Sequence, residues 1–288
     1  MNISVTGSMG FIGSHLVKKL EELGRNIVPL DILNGIDLTD WNSLQNTDEF
    51  DVLIHLAAKT YVPDSYKYPR EFYNSNILGT LNALELCRIR KAKMIFTSSY
   101  VYGKPEYLPI DEKHPTVAFN PYANSKIIGE KLCEGYNRDF GVSVIILRLF
   151  NIYGAGQNRN FLIPSIIEMM KNGKVILNDP SPRRDFVYID DVIDAYIKAS
   201  EYNSSDFEVF NIGYGKSHAV QEVVDIIGKH YHDNIEIEYT GEKRRNEIFD
   251  TVADIMKARE LLGWQPEISL KNGINRLTDK EKYRGSSE

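Results

Sequence analysis

Two cysteines in 288 residues, Cys87 and Cys133, are too few for a disulfide scaffold and too isolated for a thiolate metal site. Both fall in apolar helical patterns and read as reduced core residues of a cytoplasmic protein. No apolar run approaches the ~18 residues that a membrane span requires. The first residues, M-N-I-S-V-T-G, already read as strand and turn, so no signal peptide is expected. Basic excess is missing too. Lys and Arg number 34 against 40 Asp and Glu, a formal charge of −6, which disfavours a nucleic-acid partner because phosphate backbones demand concentrated positive charge. Internal repeats and low-complexity tracts are absent. What is present is an ordinary folded-chain composition, 42% hydrophobic and 26% charged, which argues against disorder.

The chain opens with a short apolar strand, Asn2–Thr6, running into Gly7-Ser8-Met9-Gly10-Phe11-Ile12-Gly13 and then a helix that stops near Gly24. Strand, glycine-rich turn and helix make a phosphate cradle, because glycines let the backbone approach a pyrophosphate and the helix N-terminus supplies N–H groups and a positive dipole. The next strand, 26–30, ends in Asp31. A carboxylate about 20 residues after the glycines is placed to accept hydrogen bonds from an adenosine ribose. It would also repel the extra phosphate of NADP. A third strand, 51–55, runs into Leu56-Ala57-Ala58, small residues that admit a flat cofactor; His55 reads as a packed strand residue. A helix over 71–90 contains Asn76. A fourth strand, 93–97, delivers Ser98-Ser99-Tyr100-Val101-Tyr102-Gly103, and a fifth covers 142–149.

Strands alternating with helices predict an α/β fold, a Rossmann-type doubly wound parallel sheet with ligands at the carboxyl ends of its strands. Beyond residue 153 the rhythm weakens. Helices are expected over 161–170, 190–199, 221–231 and 253–262, with short strands at 175–177, 209–212 and 235–239. The expected division is a dinucleotide-binding domain over 1–152, rejoined by about 187–213, and a smaller C-terminal α/β substrate domain from 153–186 and 214–288.

Pro121-Tyr122-Ala123-Asn124-Ser125-Lys126 opens an apolar stripe at helical spacing, which places Tyr122 and Lys126 four apart on one helix face. A lysine ammonium beside a tyrosine hydroxyl favours the phenolate and moves a group that ionises near pH ~10 towards neutrality. Tyr122 is therefore a candidate general base. The same spacing at Tyr100/Lys104 and Tyr239/Lys243 contains glycine and reads as turn.

Taken with T-S-S-Y-V-Y-G, R-L-F-N-I-Y-G and R-R-D-F-V-Y-I-D-D, these stretches resemble the extended short-chain dehydrogenase/reductase family, in its nucleotide-sugar epimerase and dehydratase branch, from residue 2 to about residue 275. The resemblance implies that Gly7, Gly10, Phe11, Ile12 and Gly13 hold the pyrophosphate of NAD, Asp31 the adenosine ribose, and Asp37 with Leu38 the adenine. Leu56, Ala57, Ala58, Asn76 and Phe150 complete the implied cofactor contacts, with Tyr122 and Lys126. Ser98, Tyr122 and Lys126 match the family's catalytic trio, since counting back three from Val101 selects Ser98 over Ser99. Ser98, Ser99, Asn151, Arg184, Arg244 and Thr251 are the implied substrate contacts, Thr251 at a position whose small side chain leaves room for an acetamido group. Ser99 and Tyr100 stand where the family's dehydratases carry an acid, so dehydration is not expected. The implied activity is NAD-dependent 4-epimerisation of a nucleotide-linked hexose, UDP-linked in first place, by a homodimer. The short Asp31–Asp37 connection keeps a 4-ketoreductase of a nucleotide-linked 4-keto-6-deoxysugar open as the alternative.

Overall fold

The computed structural model describes residues 1–203, 207–231, 235–243 and 247–284, with side chains to residue 278. In chain order the elements are β1 (Asn2–Thr6), α1 (Phe11–Glu22), β2 (Asn26–Leu30), α2 (Trp41–Leu44), β3 (Val52–His55), α3 (Val62–Lys67), α4 (Pro69–Tyr73), α5 (Gly79–Arg90), β4 (Lys93–Ser99), α6 (Pro121–Phe140), β5 (Val144–Leu149) and β6 (Asn151–Tyr153). They continue with α7 (Leu162–Lys171), β7 (Lys174–Leu177), β8 (Arg183–Tyr188), α8 (Ile189–Glu201), β9 (Phe207–Ile212), β10 (Ser217–Ala219), α9 (Val220–Gly228), β11 (Glu236–Tyr239), α10 (Met256–Leu261) and α11 (Leu270–Arg284).

The main sheet is wholly parallel, in the order β2-β1-β3-β4-β5-β9. Chain direction across the sheet reverses between β1 and β3, which makes that rim the switch point where doubly wound sheets bind ligands. Both faces are covered, so the strands read as continuous apolar runs rather than alternating ones. Ile3, Val5, Ile54, Ile95 and Leu147 pack on one side with residues of α1 and α8. Leu53, Met94, Phe96 and Ile146 pack on the other with Leu84, Cys87 and Cys133 of α5 and α6. Both cysteines are buried free thiols.

The helix expected over 71–90 is divided in the structure. α4 ends at Tyr73, residues Asn74–Leu78 form a π-turn, and α5 begins at Gly79. Arg183–Tyr188 is a strand, the centre of a three-stranded sheet β10-β8-β6, while β7 and β11 form a parallel pair. The helix expected over 253–262 starts only at Met256, because Ala253 is held in an extended bridge with Ile110. Among the described residues no helix is long and apolar enough to cross a membrane.

Candidate active site

Between β1 and α1 the glycines are required by close approach. A Cβ on Gly13 would stand 2.1 Å from the Gly7 carbonyl oxygen and 2.8 Å from the Ser8 backbone. Gly7 has φ +65° and lies so near the β3 exit that a Cβ would meet the Ala57 backbone at 2.9 Å. The turn is thus pressed flat against Leu56 and Ala57. Gly10 precedes α1 as an N-cap without a side chain, and the first turn holds no acid, so the N–H groups around Phe11, Ile12 and Gly13 remain for an anion. Ser8 adds a buried hydroxyl that makes no hydrogen bond.

Asp31, at the end of β2, is buried, and its two oxygens accept from the N–H of Met9 at 2.9 Å and of Leu33 at 3.0 Å. Each keeps lone pairs for ribose hydroxyls. The residues that follow, Ile32 and Leu33, are exposed and apolar, where a 2′-phosphate would need cations. Asp37 turns inward on Thr39, and Leu38 is pinned by its carbonyl to the Asn82 amide at 2.7 Å. These residues fit a dinucleotide with free ribose hydroxyls. Asp31→Ala should weaken NAD binding by about 10–100-fold, the scale of a charge-assisted hydrogen bond, and narrow its advantage over NADP; paired equilibrium titrations measure both.

α6 begins where the chain needs it to. The Asn120 side chain caps the Ala123 N–H at 2.7 Å and Pro121 occupies the first turn, so Tyr122 stands at the rim above β4. Lys126 is 3% exposed and donates to the Thr97 carbonyl at 2.8 Å. Burial brings Lys126 down to about 8. The expected effect of this lysine on Tyr122 is not found. Burial pushes the Tyr122 phenol up, and the opposing pull comes from the Ser99 hydroxyl. The two side chains share a helix face, but the ammonium is spent on a strand carbonyl.

The serines divide differently from the count back from Val101. Ser98 is 1% exposed and donates to Glu130 Oε1 at 2.5 Å, beneath the site. Glu130 in turn holds Arg148 at 2.6 Å, and Arg148 reaches the Tyr102 hydroxyl at 3.1 Å. Successive strand residues face opposite sides of a sheet. Ser99 therefore takes the side Ser98 does not, against the Tyr122 phenol, and its buried oxygen forms no full hydrogen bond. Glu130 went unread in the sequence, although Tyr122, Lys126 and Glu130 repeat at four-residue intervals.

On the other wall, Phe150 packs edge-on to Tyr100 with ring centroids 5.5 Å apart, and the Asn151 amide donates to the Asp185 carbonyl at 3.2 Å. Arg184 is gripped by Glu247 and by the Arg183 and Ile248 carbonyls. Thr251 is 2% exposed and its hydroxyl is unbonded. Asn76 does not offer its amide to the rim, because all its hydrogens go to Lys59 O and Ser125 Oγ. Arg244 lies outside the described residues. Among the described residues no cluster of three or more metal-ligating side chains occurs.

The model of the NAD dependent epimerase/dehydratase family matches residues 3–213. The chain belongs to that family. NAD is accordingly the cofactor. Within the family, the chain is similar to a putative UDP-glucose 4-epimerase of Methanocaldococcus jannaschii, 39% identical across 96% of this chain and 97% of that one. It is also similar to a GDP-6-deoxy-D-mannose reductase of Pseudomonas aeruginosa, 31% identical across 99% and 98%. Among solved structures, UDP-glucose 4-epimerase of Thermotoga maritima with UDP-glucose superposes over the whole of both chains, with a TM-score of 0.90 and 29% identity.

Proposed function

We propose that this protein is an NAD-dependent 4-epimerase of a UDP-linked hexose, glucose/galactose or the N-acetylated pair. The observation that carries the reading is the pairing at the β4 rim of the Tyr122 phenol with the Ser99 hydroxyl, where neither Ser99 nor Tyr100 is an acid. The similarity to two UDP-glucose 4-epimerases supports it.

Tyr122 takes the proton from the sugar O4 and later returns it. Ser99 donates to or accepts from the same oxygen, so the oxygen stays hydrogen-bonded as it passes between hydroxyl and carbonyl. Bound NAD supplies the hydride acceptor and donor at C4. Lys126, held at the strand end, contributes positive charge near the reacting atoms. Arg184 is suited to the diphosphate because its planar fork pairs with phosphate oxygens. With Ser99 and Tyr100 in place of acids, no group removes water from the sugar. Because the proton and the hydride both return, the reaction consumes no reductant.

That property tests the reading. Incubation with UDP-glucose, UDP-N-acetylglucosamine and a dTDP-4-keto sugar, without NADH and then with it, should convert a UDP-hexose to its 4-epimer in the absence of NADH. A 4-ketoreductase is the second reading, favoured by the short Asp31–Asp37 connection and by the similarity to the reductase. Conversion only of the 4-keto sugar, with stoichiometric loss of NADH, would establish it instead. Ser99→Ala is expected to lower turnover about 10–100-fold, as for a hydrogen-bonding partner of the reacting oxygen, and to leave thermal stability nearly unchanged. Ser98→Ala should do the reverse, because it deprives Glu130 of a buried donor. Turnover and melting temperature of the two variants separate these roles.

A further inference from the structure

A buried chain of hydrogen bonds links the glycine-bearing strand to the first turn of α6, and its proton positions follow from its geometry. Thr6 Oγ1 accepts the N–H groups of Leu56 and Ala57, each at 3.1 Å, so its own hydrogen goes to His55 Nδ1 at 2.8 Å. An accepting Nδ1 leaves the ring proton on Nε2, which faces Thr80 Oγ1 at 3.0 Å. The Thr80 hydrogen then goes to the Asn76 carbonyl at 2.6 Å. Burial first, and the charge of Lys126 second, lower the pKa of His55 to about 3, so the imidazole stays neutral and this arrangement holds across the working pH range.

Asn76 lies in the π-turn between α4 and α5, a local widening of the helix that recurs at functional positions. It clamps Lys59 at two points, accepting from its N–H at 2.8 Å and donating to its carbonyl at 3.0 Å. The remaining amide hydrogen crosses to α6 and reaches Ser125 Oγ at 2.9 Å. Ser125 donates in turn to the Tyr122 carbonyl at 2.7 Å. A helical serine bonded to a carbonyl one turn back is commonplace. Here the same oxygen also accepts from an amide on another helix, and His55, Thr80, Asn76 and Ser125 are all at most 2% exposed.

We propose that Ser125 is a positioning residue for Tyr122. Through Asn76 it ties the backbone of Tyr122 to rim segment 56–59, fixing the phenol relative to the cofactor side of the site. The proposal rests on the catalytic reading of Tyr122 given above. Displacement of a reacting group by about 1 Å can cost on the order of 100-fold in rate. Ser125 touches no reacting atom, so its loss should act on turnover and not on binding.

The test uses Ser125→Ala, Asn76→Ala and the double variant of the whole protein, with Tyr122→Phe beside them. Turnover, KM, NAD affinity and melting temperature are measured for each. Ser125→Ala should lower kcat about 10–100-fold while KM, NAD affinity and melting temperature stay near those of the parent. If the Asn76–Ser125 bond carries the effect, the double variant should lose less than the product of the two single losses. Unchanged kcat in Ser125→Ala beside a crippled Tyr122→Phe would overturn the positioning role alone. So would a kcat loss matched by equal losses of NAD affinity and melting temperature. A fully active Tyr122→Phe would overturn the catalytic reading itself and the proposal with it.

Discussion

Tyr122→Phe is expected to lower turnover by about 10²–10⁴-fold, the usual scale for losing a positioned acid/base, and to leave NAD binding nearly intact. The substitution keeps the ring and removes only the hydroxyl, so the packing of the α6 start should survive. Burial holds the Tyr122 phenol above its ordinary value, and the phenolate is the form that accepts the sugar proton. Activity limited by that base rises with pH as the phenol ionises and falls as the pH is lowered. In Tyr122→Phe this limb of the pH–rate profile should vanish along with the rate. Near-parental activity in the variant, or an unaltered profile, would remove Tyr122 from the chemistry. Lys126 sharpens the measurement, since its own pKa of about 8 places a second ionisation in the same profile. Comparing Tyr122→Phe with Lys126→Ala assigns the two limbs.

Glu130→Ala is expected to destabilise the fold by about 3–5 kcal/mol, because it strands the Arg148 guanidinium in the core without its counter-charge. The pair is 2.6 Å apart with each side chain 8% exposed, so water replaces little of the lost attraction. Two further buried groups depend on it. Ser98 loses its acceptor, and the Tyr102 hydroxyl, which donates to Asn211 at 2.5 Å, is left beside an unbalanced cation. A drop in melting temperature on the order of 10 °C follows for a chain of this size. Glu130→Gln, which can still accept from Ser98 and Arg148, should fall part of the way. If Glu130→Ala melts with the parent, the network under the site is decoration.

The parts of the site that depend on neighbours in sequence were legible. The flattened turn at Gly7 and Gly13, the acid at Asp31 and the opening of α6 at Pro121 are each set by a few consecutive residues. Their chemistry is written in residue type and spacing. The serine assignment was not legible, because Val101 lies past the strand end and a count from it ignores which side of the sheet each hydroxyl faces. The side that Ser98 takes is seen only in its pairing with Glu130, 32 positions away. The effect of Lys126 on Tyr122 was misjudged for a related reason. Four-residue spacing gives a shared face, but the strand beneath decides where a long side chain ends. Elsewhere the reading of 71–90 as one helix misses the π-turn, in which Asn76 bonds to Lys59 and Ser125. Arg183–Tyr188 was undefined in type, because its strand exists through pairing with β6 and β10 on either side.

The short passage from Asp31 to Asp37 leaves β2 as the outermost strand of the main sheet, and an outermost strand is a template for the wrong partner. Leu30 turns its carbonyl inward to the Gly7 N–H at 2.8 Å, so the residue before it, Pro29, faces the open side. Proline has no N–H to give there. A second chain approaching this border would meet a missing donor at the fourth position of a five-residue strand. A border strand of this kind would otherwise expose a sticky margin, and one imino acid blunts it against fibril-like stacking.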